Sequence, residues 1–413
     1  MSTSKKLVIS MLFSAFLGVL PLRSVSADEG RYLIKTNKNF WKNALGVRNV
    51  FDGGFTTDLS DFQVRFARVW GVEIEPVKVL QILPATPVGG PATVTPEVAN
   101  APSAPSSKSP SRPKLARALP SDQTPWGIEM VYNDPAISKT AGGGGVKVAV
   151  LDTGVLTSHP DLKERILQCK DFTNLRLPLV DGKCEDKNGH GTHVAGIIAA
   201  DGGADSKGIY GVAPEARLLI YKVCDNSGTC YADDIATALR LAADQGAAIV
   251  NMSFGSDGDS GLIHGAIDYA VEKGVLPVAA AGNDGPFDAS IDYPAAQAEV
   301  IAVGAIDQNK TITEWSSRGV NTTTAAFVVE EKDIEFATPG ANVESTWNNA
   351  GYVIFSGTSM AAPFVSGLAA KYWQSGTPAP ATATRELLHK LANDLAPNGD
   401  DNASGFGLVQ VQP

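Results

Sequence analysis

Basic residues are under-represented in this chain of 413 residues: 34 Lys and Arg stand against 44 Asp and Glu, a formal charge of -10. No basic stripe or Lys/Arg cluster is present, which argues against nucleic acid or an anionic membrane surface as partner. Long apolar runs are also lacking beyond one near the N-terminus, so no other segment is expected to cross a bilayer. Cysteine is sparse, with four residues and no Cys-x-x-Cys spacing, which speaks against a thiolate metal centre. What is present is a hydrophobic fraction of 44%, enough for a large buried core.

Lys5-Lys6, the apolar run 7–20 and Val25-Ser26-Ala27 read as the n-region, h-region and cleavage site of a secretory signal peptide, residues 1–27. The protein is therefore expected to be secreted. A membrane anchor is disfavoured because the run is short, turns polar at Asp28-Glu29 and carries no cysteine for lipid attachment. In an exported chain cysteines pair, and of three connectivities the local set Cys169–Cys184 and Cys224–Cys230 is preferred, with four free thiols as the alternative. Residues 28–83 form a compact segment with strand-like Tyr32-Leu33-Ile34 and a β-rich run over 72–80. Residues 84–117 are dominated by Pro, Ala, Ser, Val and Thr, too little apolar surface to offset ordering entropy, and are expected to be an exposed linker. The second large domain then occupies residues 118–413.

Three motifs in that domain carry chemistry. Val146-Lys147-Val148-Ala149-Val150-Leu151 reads as a buried strand ending on Asp152-Thr153-Gly154. Asn188-Gly189-His190-Gly191-Thr192-His193 opens a small-residue helix, and Ser356-Gly357-Thr358-Ser359-Met360-Ala361 opens another. A seryl hydroxyl is a poor nucleophile unless a histidine takes its proton and a carboxylate orients that histidine. Ser359, His190 and Asp152 supply those groups; each motif alone is weak, and the three together are not. Further apolar runs at 216–223, 248–252, 275–280 and 300–303 alternate with helical patterns, which predicts a parallel sheet covered by helices on each side, an α/β fold in three layers.

The chain order Asp, His, Ser is that of subtilisin, and over residues 123–411 the sequence resembles the subtilisin-like serine proteases. The resemblance implies an endopeptidase with Ser359 as nucleophile, His190 as general base and then acid, and Asp152 orienting His190. It gives Asn283 to the oxyanion hole and leaves His193 structural. It also implies that protein substrates bind as extended peptides along Ser253-Phe254-Gly255 and the loop 226–230 with Gly228, and that Ala280, Ala281, Gly282 and Asp292 line the pocket for the side chain before the scissile bond. A carboxylate there would favour Lys or Arg. Residues 28–83 resemble, loosely, the small α+β pro-segment that inhibits such enzymes, with maturation expected after Arg117, near Lys114. A structural calcium is implied at Gln123, Asp161, Asp201 and Asp205. A monomer is expected, and the stretch 320–333 reads as an insertion without an assigned role. The competing reading is a catalytically silent binding or inhibitory protein on the same scaffold.

Overall fold

The computed structural model describes residues 29–83, 86–87, 118–321, 329–395 and 397–412, which divide into one unit ending at Val77 and another beginning at Lys78. The leader 1–27, the sites at Lys114 and Arg117, and part of the stretch 320–333 lie outside the described residues.

In the first unit, strands β1 (Glu29–Ile34), β2 (Val50–Phe51), β3 (Gly54–Ser60) and β4 (Ile74–Pro76) form an antiparallel sheet in the order β2-β3-β1-β4. Helices Asn39–Leu45 and Asp61–Val69 accompany it, the latter opened by a capping box between Ser60 and Gln63. Ile34, Phe55, Leu59, Val64 and Ala67 are its buried core. The β-rich run expected over 72–80 is split: its first part is β4, and its last residues belong to the second unit as β5 (Val79–Ile82). The two-residue strand β6 (Thr86–Pro87) also belongs to the second unit.

The second unit is built on an eight-stranded sheet. Its strands are β7 (Lys147–Asp152), β8 (Ile166–Asp171), β9 (Val180–Asp181), β10 (Arg217–Lys222), β12 (Ile249–Met252), β14 (Leu276–Ala280), β15 (Ile301–Ile306) and β16 (Phe336–Pro339). The order is β16-β15-β14-β12-β7-β10-β8-β9, parallel except for the edge strand β9. Side chains alternate across it: Val148, Val150, Ile249 and Val278 join the core cluster that also holds Val194, Ile198, Val365 and Leu368 of helices His190–Ala199 and Thr358–Lys371. The intervening Ala149, Leu151, Val250 and Met252 are also fully buried. They face the other layer, where helices Ala232–Asp244 and Gly261–Glu272 pack on each other and on β7 and β14. Strands buried on both faces are the reason the sequence reads as unbroken apolar runs.

Two small sheets flank this core: β11 (Thr229–Tyr231), β5 and β13 (Phe254–Gly255) form one, and β17 (Val343–Thr346), β18 (Tyr352–Ser356) and β6 the other. The cysteines form the two local bridges, Cys169–Cys184 and Cys224–Cys230. No helix among the described residues is long and apolar enough to cross a membrane.

Candidate active site

Parallel sheets gather functional groups beyond the carboxyl ends of their strands. Asp152 is the last residue of β7, and Asn283 follows β14 by three residues. His190 and Ser359 stand in the first turns of the two helices packed on one face of that sheet. The helix of His190 reaches Asp152 closely because Gly191 has no side chain: a Cβ there would lie 2.2 Å from the Gly154 carbonyl and 3.0 Å from Asp152 Oδ1.

Asp152 Oδ1 lies 2.8 Å from His190 Nδ1 and also accepts the Thr153 backbone N–H at 2.7 Å. This fixes the proton on Nδ1 and leaves Nε2 as the basic nitrogen; it is buried with no hydrogen-bond partner. Ser359 Oγ donates to the Ser253 carbonyl at 3.2 Å rather than to His190, so attack requires a rotation of that hydroxyl. In the other direction Ser253 Oγ donates to the Ser359 carbonyl at 3.1 Å. That carbonyl is available because Pro363, four residues later in the helix, has no N–H to offer it. The substrate strand and the serine are thus tied together in both directions.

Burial pushes the His190 pKa down, but the charge and hydrogen bond of Asp152, with the charge of Asp186, push it up further, and the net shift is upward. Asp186 is a site residue that motif reading passed over. It is fully enclosed and accepts from Gly189 N (2.7 Å), Asn188 N (3.0 Å), Thr153 Oγ1 (3.0 Å), Thr192 N (2.9 Å) and Thr192 Oγ1 (2.7 Å). One carboxylate therefore shapes the turn before His190, caps its helix and anchors the residue after Asp152. Its position just ahead of the histidine motif was the available signal. His193 is structural: burial and the neighbouring His190 push its pKa down to about 3, and Nε2 contacts the Val343 and Val353 carbonyls at 3.1 and 3.2 Å.

Asn283 Oδ1 accepts from Thr358 N and Thr358 Oγ1, both at 3.0 Å. The carbonyl end of its amide is thereby pinned to the residue before Ser359, so the NH2 end is the one turned elsewhere. Strand β5 lies antiparallel between β11 and β13, with Leu80 opposite Cys230, Gln81 opposite Gly255 and Ile82 opposite Phe254. Ile82 N also donates to the Gly228 carbonyl at 2.9 Å. The pairing ends there, one residue short of Ser253, the residue bonded to Ser359, and Leu83, which follows β5, is buried in the main core cluster. The chain's own residues 79–83 therefore run as an added strand along the segments expected to hold substrate.

Asp292 is 4% exposed, and its carboxylate accepts no hydrogen bond and forms no ion pair among the described residues. It lies against the backbone of two expected pocket residues: a Cβ on Gly255 or on Gly282 would each come within 2.8 Å of Asp292 Oδ2. Its backbone N–H donates to the Ala281 carbonyl, and Ala280 and Ala281 are fully buried beside it. Burial, then Asp284 and Asp257, push its pKa up to about 7, against a smaller pull from Lys78. Asp257 and Asp284 were not singled out in the sequence because they sit on separate loops with no regular spacing.

At the expected calcium site, Asp161 Oδ1 is buried without a hydrogen-bond partner, while Oδ2 accepts from Tyr352 Oη and Ile209 N. Burial pushes the Asp161 pKa up to about 6. Asp205 Oδ1 comes within 3.6 Å and Asp161 Oδ1 within 3.0 Å of the point a Gly203 Cβ would occupy. Gln123 Nε2 donates to the Ser206 and Gly208 carbonyls of the same loop. Asp201 differs: its Oδ2 is engaged by Arg165 Nε at 3.0 Å and its Oδ1 by the Gly203 N–H.

Residues 143–407 match the model of the Subtilase family. The chain is 41% identical to a subtilisin of Bacillus sp. (strain TA39) across all of both proteins, and 39% identical to subtilisin Savinase of Lederbergia lenta over 70% of this chain and 97% of that one. Among solved structures it superposes on sphericase with a TM-score of 0.68 at 50% identity, covering 71% of this chain and 99% of that one.

Proposed function

The chain belongs to the subtilase family and is a subtilisin-like serine endopeptidase, and from that premise we propose that Asp152, His190 and Ser359 are its catalytic triad, with Asn283 in the oxyanion hole. The Ser359 hydroxyl attacks the scissile carbonyl, His190 Nε2 takes its proton and returns it to the leaving amine, and Asp152 holds the imidazolium that forms. The Asn283 amide and the Ser359 backbone N–H, at the positive end of its helix, stabilise the oxyanion. The observation that carries this reading is the Asp152–His190 bond of 2.8 Å together with a serine that hydrogen-bonds Ser253, the residue just ahead of the strand on which residues 81 and 82 are paired. Ser359→Ala should abolish hydrolysis, self-processing and labelling by a fluorophosphonate. Normal maturation of the purified variant, free of other proteases, would overturn the assignment and favour a silent scaffold.

The protein is made as a secreted zymogen whose residues 28–83 inhibit it, with the linker 84–117 removed on maturation and the cut after Arg117. The support is the pairing of β5 with β11 and β13. It prefers Lys or Arg before the scissile bond. The support is an unpaired, buried Asp292 against Gly255 and Gly282, a charge that an incoming cation would neutralise. Matched peptides differing only at that residue decide it, since faster cleavage after Leu or Phe than after Arg removes Asp292 as the determinant. Calcium is a structural cofactor held by Asp161 and Asp205 with carbonyls of the loop near Gln123, and it supplies charge to the orphaned Asp161 oxygen. Asp201, committed to Arg165, serves that loop through the ion pair instead.

A further inference from the structure

The side chains of Asp257, Asp284 and Asp292 converge from three separate loops, and one carboxylate oxygen from each lies within 4.8 Å of the others. Like charges gathered this closely repel by several kcal/mol unless a cation or a proton intervenes. Asp257 and Asp284 are exposed, whereas Asp292 is 4% exposed and its carboxylate, turned into the cluster, accepts no hydrogen bond among the described residues. The spacing also has a chemical meaning. Oxygens around a calcium ion lie at roughly 2.3–2.6 Å from it, hence up to about 5 Å from one another, a span that three oxygens within 4.8 Å satisfy.

A second observation shows that the place attracts positive charge. Lys78, the residue just ahead of β5, donates from Nζ to the Gly258 carbonyl, next to Asp257. Its ammonium is near enough to counter the upward push on the Asp292 pKa. The chain thus brings a cation of its own to the cluster, and it does so through the same segment that runs along the substrate strands.

We propose that Asp257, Asp284 and Asp292 form a calcium-type divalent-cation site beside the substrate strand, filled by Lys78 while residues 78–83 are in place and by the metal once they leave. Each carboxylate gives one oxygen, and water completes the shell. On the reading that Lys or Arg precedes the scissile bond, the bound ion and the substrate cation compete for the same three carboxylates.

Calcium titration calorimetry on the full chain carrying Ser359→Ala, which keeps residues 78–83 attached, tests the site without any turnover. Asp257→Asn with Asp284→Asn changes only exposed side chains, so the fold is retained. Lys78→Ala in the Ser359→Ala chain should tighten one binding event by about tenfold or more, the scale of losing one nearby charge. Adding the two Asn substitutions should remove that event and leave any binding at Asp161 intact. Equal calcium stoichiometry with and without the Asn pair, or an affinity indifferent to Lys78→Ala, overturns the proposal. In processed enzyme calcium should raise KM for an Arg peptide and leave a matched Leu peptide unaffected. A stoichiometry that drops with the Asn pair while the Arg-peptide KM ignores calcium keeps the site and overturns the Lys/Arg preference instead.

Discussion

At the scale of single residues, the charge state of two buried groups governs what can be measured. In the proposed mechanism His190 acts as a base only when neutral, and its pKa is raised above the ordinary 6.5 by Asp152 and Asp186 against the opposing effect of burial. The acid limb of kcat/KM should therefore lie above pH 6.5, and Asp186→Asn, which removes one of the two raising charges, should move it downward. A limb unchanged by that substitution would mean that Asp186 acts through backbone geometry alone. Asp292 titrates in the opposite sense for stability. The folded chain holds its proton up to about pH 7 rather than 3.8, so folding loses stability as pH rises through that window and is level above it. Asp292→Asn should raise Tm more at pH 8 than at pH 4; an equal shift at both would show that Lys78 already balances the charge. Asn283→Ala should lower kcat by about 10² to 10³, a range taken from removing the equivalent donor in a subtilisin, with little change in KM.

At the scale of elements, legibility followed burial. β7, β10, β12, β14 and β15 all fall on runs that are apolar because both faces of a parallel sheet are covered, and their ends fall within a few residues of those runs. β8 and β16 were not anticipated: Ile-Leu-Gln-Cys-Lys-Asp, next to the edge strand β9, mixes polar and apolar residues, and Phe-Ala-Thr-Pro is too short to show a period. The split of residues 72–82 between β4 and β5 was unreadable for a different cause. Nothing in Val-Glu-Ile-Glu-Pro-Val-Lys-Val-Leu says that its two ends pair with different sheets, because strand addition uses main-chain groups common to every residue. The motifs holding Asp152, His190 and Ser359 could be read from residue types and order, whereas Asp186 offered only its position just ahead of the histidine motif, since a carboxylate that only accepts hydrogen bonds leaves no spacing rule. Leu83, the residue after β5, is buried in the main core cluster, so a synthetic peptide of residues 78–83 should inhibit processed enzyme, and its Leu83→Ala form should bind about 10- to 100-fold more weakly, the value of one buried leucine. Equal inhibition by both peptides would place the affinity in the main chain.

At the scale of the whole molecule, stability depends on groups that the polypeptide does not fully satisfy by itself. A calcium ion bound at Asp161 would favour the folded state by mass action, so chelation should lower Tm, and Asp161→Asn should remove that response. A chelator-insensitive melting curve in wild-type protein, with calcium release confirmed, would detach calcium from the loop 201–208. The Cys224–Cys230 bridge acts on the molecule differently, because the loop it closes includes Gly228, Thr229 and Cys230, which hold one edge of the added strand. Without the bridge that edge has no covalent clamp, while Asp152, whose carbonyl accepts the Cys224 N–H, and His190 and Ser359 lie outside the loop. The hold on peptides is therefore the part of the proposed function that reduction of this bridge would loosen first.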